Sequence, residues 1–165
     1  EDAIILGDSR MAHFDMNAVA EASGRGWSNL AFGGASLIIA FGLWTSLLAT
    51  VSPDMRLAGC VTSAAAARFA ENVAAFFGKY PWEYGMGKGW VDTFTSYDLF
   101  ISALCLVIFL PVSIFHFSVC VAVSALIGFV IALHMNKRLG GVNGDVMGAA
   151  AVAAELASLM VWAAI

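Results

Sequence analysis

Long apolar runs, broken by short polar and glycine-rich stretches, make up most of this chain. Residues 33–51 form the first run, about the twenty residues that a bilayer span requires. Ser52-Pro53-Asp54 ends it, because proline cannot continue a helix and its polar neighbours favour a turn. Residues 56–78 read as an apolar helix with Arg68, Glu71 and Asn72 on one face. Residues 79–95, KYPWEYGMGKGWVDTFT, read as a polar, aromatic loop. Residues 97–135 are nearly twice as long as a hydrocarbon core at about 1.5 Å per residue, so they predict two spans. Pro111 is the natural break, with the turn running from Leu110 to about His116 at a polar tip. Lys137 and Arg138 stop the second span, and residues 145–165 supply the last. The pattern predicts an all-α fold: a polytopic α-helical membrane protein of about five membrane helices.

Composition agrees with this pattern. Of the 165 residues, 61% are hydrophobic and 12% charged, whereas soluble domains carry about 25% charged residues. Residues 1–30 differ in kind, holding Glu1, Asp2, Asp8, Asp15, Glu21, Arg10 and Arg25. They are expected to form a polar N-terminal segment ahead of a helical membrane domain over residues 31–165. No cleavable signal peptide is recognisable there, and a chain that starts at Glu1 is expected to be a fragment. Cys60, Cys105 and Cys120 sit in apolar surroundings without C-x-x-C spacing, so neither a disulfide framework nor a zinc site is indicated. Residues 1–30, 79–95 and 136–144 fall on one side of the predicted spans. That side receives Arg10, Arg25, Lys79, Lys88, Lys137 and Arg138, against Arg56 on the other. The positive-inside rule makes it cytoplasmic. The expectation is a multi-pass protein of the cell membrane, of inner-membrane type, with an active face built at the cytoplasm from parts distant in sequence.

The chemistry concentrates in that face. Gly140, Gly141 and Gly144 allow a tight turn and a close backbone approach. Asn143 or Asp145 can cap the helix that follows. Asp145 stands at the mouth of this helix and Glu155 about three turns deeper, where an intramembrane carboxylate is costly and tends to be functional. Gly85, Gly87 and Gly89 would let the other loop approach a phosphate, and Lys88 could hold one. Carboxylates beside phosphate suit Mg²⁺, with Asp145 the first candidate ligand and Glu155 the second. Arg68, Glu71 and Asn72 read equally as a self-satisfied stripe or as a cavity wall, with Arg68 paired to Glu71 or to a carboxylate of the final helix. From the residues alone this is a membrane enzyme acting on a phosphate ester, or a transporter of one.

Gly140-Gly141-Val142-Asn143-Gly144-Asp145, followed by Gly148-Ala149 and Glu155, resembles the GGxTGDxxGAxxExxE motif of the cobalamin (5′-phosphate) synthases, also called adenosylcobinamide-GDP ribazoletransferases. Arg68, Tyr80 and Gly85-Met86-Gly87 keep the order and spacing of that family's Arg, Tyr and Gly-(Leu/Met)-Gly. The resemblance covers roughly residues 55–165. It implies a Mg²⁺-dependent membrane transferase of cobalamin biosynthesis that joins adenosylcobinamide-GDP to α-ribazole or its phosphate and releases GMP. It implies catalytic roles for Asp145, Glu155 and Arg68, with Asp145 and Glu155 as metal ligands. Substrate contacts would come from Tyr80, Gly85, Gly87, Lys88, Gly140, Gly141, Asn143 and Gly144. The partners would be corrinoid nucleotide and ribazole substrates and membrane lipid, not nucleic acid, with a homo-oligomer compatible. Asn143 replaces the usual Thr and Val152 the first Glu of the pair. The family's acidic H-x-D-G-x-x-D-x-x-D-G segment is not found, so weak Mg²⁺ affinity and little transferase activity are expected of this chain alone.

Ile4-Ile5-Leu6-Gly7-Asp8-Ser9-Arg10 and Asn29-Leu30-Ala31-Phe32-Gly33-Gly34-Ala35-Ser36 look like the first blocks of an SGNH (GDSL-type) hydrolase, with Ser9 as nucleophile. No Asp-x-x-His follows to activate the serine, and the chain leaves no room for a parallel sheet, so a complete hydrolase is not expected. A fragment or fusion of that type is one alternative. A non-enzymatic small polytopic membrane protein is the other.

Overall fold

The computed structural model describes residues 3–5, 27–29, 34–83 and 87–165. The chain forms two compact units, residues 1–42 and 43–165. In the first unit, β1 (Ala3–Ile5) and β2 (Trp27–Asn29) pair in parallel, with Ala3 opposite Trp27 and Ile5 opposite Asn29. The expectation of no room for a parallel sheet is therefore corrected. Helix α1 (Gly34–Thr50) begins in the first unit and ends in the second.

Every regular element among the described residues of the second unit is a helix. A 3₁₀ turn at Pro53–Met55 leads into α2 (Arg56–Phe77). Then come α3 (Lys88–Thr93), α4 (Ser96–Leu106) with a 3₁₀ turn at Val107–Phe109, α5 (Ile114–Arg138) and α6 (Gly144–Ala164). The breaks fall where Pro53, residues 79–95, Pro111 and the 137–143 stretch predict them. The stretch read as loop over 79–95 nevertheless contains the short helix α3.

Helices α2, α5 and α6 pack against one another as the core. Their meeting faces are small: Ala66, Ala70 and Ala74 of α2, Cys120, Ser124, Gly128 and Ala132 of α5, and Ala150, Ala154 and Ser158 of α6 are all buried. Side chains this small let the backbones close in. A Cβ at Gly128 would overlap the Ala70 carbonyl, and one at Gly59 would lie 3.3 Å from the Trp162 ring. The Ser124 and Ser158 hydroxyls hydrogen-bond across the α5–α6 contact at 3.2 Å. Large apolar side chains point outward instead, among them Leu126, Val130 and Leu133 of α5 and Val152 and Met160 of α6. Phe69, Phe117, Leu159 and Trp162 are buried as well, but the small and hydroxylic residues at the closest contacts are how helices pack when lipid is the solvent.

The number of spans is smaller than the sequence pattern suggests. Among the described residues, α5 and α6 are long and apolar enough to cross a membrane. Residues 97–135 do split at Pro111, but the first piece, Ser96–Phe109, is short. At 1.5 Å per residue it covers about 21 Å, less than the roughly 30 Å hydrocarbon core. His116, expected at an exposed tip, is half-buried: its ring stacks on Trp162 at 4.4 Å and its Nδ1 is 2.8 Å from the Ser113 hydroxyl.

Candidate active site

The glycine-rich turn after α5 is fastened to the end of α2 by backbone and amide groups. Asn136 donates through Nδ2 to the Phe77 carbonyl at 2.8 Å, and its Oδ1 accepts the Lys79 N–H at 3.2 Å. The Val142 N–H donates to the Lys79 carbonyl at 2.6 Å. Gly140 has φ +76°, a conformation that favours glycine, and turns the chain after Leu139. The 79–95 and 136–144 stretches thus meet at one end of the bundle, as the sequence predicts. Residues 1–30 belong mostly to the part outside the described residues.

Not every glycine of the turn faces open space. Gly141 is buried, and a Cβ there would overlap the Lys79 carbonyl and touch Pro81. Its close approach is to its own chain. Gly144 and Gly148, one turn apart on α6, have no heavy atom within 4 Å of a built Cβ. Together with Glu71, Met147 and Trp90 they line a cavity of about 260 Å³. Gly87 lies against the Tyr80 ring, and its built Cβ is 3.5 Å from the Gly144 nitrogen, so the second loop borders the same opening. Gly85 lies outside the described residues, as does Ser9.

Asn143 caps α6, its Oδ1 accepting the Val146 N–H at 2.9 Å. Asp145 is exposed in the first turn, where the helix dipole favours a negative group. Arg68 donates to Glu71 Oε1 at 2.7 Å, one of the two pairings expected. Its side chain is 75% exposed, against 24% for Glu71. Arg68 borders a second, larger cavity of about 650 Å³, shared with Asn72, Trp90, Phe94, Asp98 and Ser102. The ion pair therefore sits between the two cavities, and Trp90 lines both. Lys88 pairs with Asp92 at 2.9 Å on the surface, an interaction worth about 0–1 kcal/mol that an incoming phosphate can displace.

Glu155 is half-buried and accepts the Trp44 indole N–H at 2.9 Å. It meets Trp44 rather than Arg68, a partner that spacing on α6 alone did not reveal. Val152, where the family motif has a Glu, is 45% exposed and stands away from the core. Among the described residues no group of three or more His, Cys, Asp or Glu is placed to hold a metal. Mg²⁺ needs only one or two carboxylates when phosphate oxygens complete its shell, and Asp145, exposed at the mouth of α6, is one such carboxylate. Glu71, Trp90 and Asn136 escaped the sequence reading as site residues. The only signal was the polar stripe on α2 for Glu71. Trp90 read only as part of the aromatic loop, and Asn136 carried no signal.

The model of the family described as cobalamin-5-phosphate synthase matches residues 29–163. The match begins earlier than the motifs suggest and takes in all of α1. It gives no support to the hydrolase likeness of the first residues. No curated protein and no solved structure matches the chain.

Proposed function

Because the chain belongs to the cobalamin-5-phosphate synthase family, whose members are membrane-bound synthases of cobalamin biosynthesis, we propose that its glycine-rich end carries a nucleotide-releasing transfer. The donor is a GDP-linked corrinoid, adenosylcobinamide-GDP, and the acceptor is α-ribazole or its phosphate. A ribose hydroxyl oxygen of the acceptor bonds to the corrinoid-side phosphorus of the pyrophosphate. The P–O bond to GMP breaks, GMP leaves with the electron pair, and the hydroxyl proton passes to a carboxylate or to water. Such a transfer needs mainly positioning and charge neutralisation.

The residues divide the work. The N-terminal turn of α6, with the Gly144 and Asp145 N–H groups ahead of those that Asn143 takes and with the bare Gly144 and Gly148, receives the pyrophosphate. Lys88 and Arg68 offer cations from α3 and α2, Lys88 from an exposed pair with Asp92 and Arg68 from its pair with the part-buried Glu71. Asp145 holds Mg²⁺, which when bound neutralises phosphate charge. Glu155 orients the end of α1 through Trp44 rather than touching the ion. The site faces the cytoplasm, on the side that collects Lys79, Lys88, Lys137 and Arg138.

The observation that carries this reading is the cavity between Glu71, Trp90, Gly144 and Gly148 at the opening of α6. Its test is calorimetric binding of GDP to the detergent-purified chain, with and without Mg²⁺. Binding is expected to strengthen with Mg²⁺ in the parent, and Asp145→Asn should lose that gain, about tenfold or 1.4 kcal/mol. An equal Mg²⁺ effect in the variant leaves Asp145 with no role beyond the helix dipole.

A further inference from the structure

We infer that the larger cavity seats the flat base of the acceptor nucleoside, while the smaller one takes the donor's pyrophosphate. The inference rests on the transferase reading above and assigns its two substrates to two places. At about 650 Å³ the larger cavity falls in the range of small-molecule sites and suits a nucleoside. A corrin with its peripheral amides is several times larger and stays outside. The cavity is walled by the rings of Phe69, Trp90 and Phe94, and Trp90 and Phe94 stack with centroids 6.1 Å apart and planes 27° from parallel. A planar heterocycle extends such a stack.

The base that fits is an apolar one. The remaining wall is largely Ala65, Ile101, Leu106 and Phe109. Guanine would bring several donors and acceptors to that wall and leave them unpaired, at a cost of a few kcal/mol. A benzimidazole has only ring nitrogens to satisfy. The polar groups of the wall are few: Thr93, Asp98, whose carboxylate is already taken by the Thr95 N–H and hydroxyl, Asn72, which donates to the Ser102 hydroxyl at 2.6 Å, and Arg68, whose partner Glu71 lines the smaller cavity. A ribose placed against Asn72 and Ser102 points its hydroxyls toward Arg68, Glu71 and the opening at Gly144. Trp90, common to both cavities and 55% exposed, is the partition across which acceptor oxygen and phosphorus meet.

Cys105 supplies the readout, since it is exposed and lines this cavity, whereas Cys60 is half-buried and Cys120 buried. The full chain in detergent is alkylated with a maleimide, and peptide mass spectrometry follows each cysteine. At ten times its dissociation constant, α-ribazole is expected to slow alkylation of Cys105 about tenfold. GDP with Mg²⁺ should leave that rate unchanged. Ile101→Trp, which fills the cavity from its rim, should abolish protection by α-ribazole while preserving the Mg²⁺-dependent binding of GDP. Protection of Cys105 by GDP, or by added phospholipid and not by α-ribazole, overturns the assignment. If α-ribazole protects Cys105 but GDP binding ignores Asp145, the donor site fails and the acceptor cavity stands. If GDP binding needs Asp145 and α-ribazole leaves Cys105 unprotected, the acceptor cavity fails alone.

Discussion

Single residues of the glycine-rich turn have separate tasks that their spacing conceals. Gly140 turns the chain, Gly141 admits the Lys79 carbonyl, and Gly144 and Gly148 leave space. Gly140, Gly141 and Gly144 looked equivalent in sequence, because a glycine shows that room is needed but not what occupies it. Asn143 was more legible. It stands where the family motif has Thr, and either side chain offers an oxygen to a helix N–H. Asn143→Thr should therefore leave thermal stability in detergent nearly unchanged, whereas Asn143→Ala should cost about 1 kcal/mol. Equal melting of Asn143→Ala and the parent would deny the cap its role. Glu155 was legible as a carboxylate about three turns into the last helix, yet its partner Trp44 lies 111 positions away, beyond any local pattern.

Among the elements, positions of breaks were legible and lengths were not. Pro53 and Pro111 interrupt helices for reasons internal to the residue. The length of α4 depends on its cap and on the 3₁₀ turn that follows, and neither leaves an apolar signature. Thr95 and Asp98 form a reciprocal capping box at its start: the Asp98 carboxylate accepts the Thr95 N–H at 2.8 Å and the Thr95 hydroxyl at 2.6 Å. These bonds, the hydroxyl's first, hold the Asp98 carboxyl below its ordinary value. A lowered folded value means that the cap contributes fully above the unfolded value and is lost as pH falls through the folded one. Hydrogen exchange across Ser96–Leu106, corrected for intrinsic rates, should therefore be faster at about pH 3 than at about pH 6. Asp98→Asn should flatten that dependence, and a parent profile already flat would contradict the assignment.

At the scale of the molecule, the bundle is arranged for an apolar solvent. Buried Thr62, Ser63, Ser124 and Ser158 accompany alanines and a few large anchors such as Phe117 and Leu159, while many leucines, valines and isoleucines lie exposed on the outside. The apolar runs and the clustered cations announced a membrane protein, and the Gly-rich motifs announced its family. The convergence of α2, α3, α4 and α6 on two cavities did not follow from them, because it depends on tertiary contacts such as the Asn136 clamp. The central claim is that a guanine nucleotide binds at this convergence. Its most direct measurement is photolabelling of the full chain with azido-GDP and Mg²⁺, followed by mapping of the modified peptides. The account predicts label within residues 87–95 or 139–148, strongly reduced in Asp145→Asn. Label confined to other peptides, or equal labelling of the variant, would contradict it.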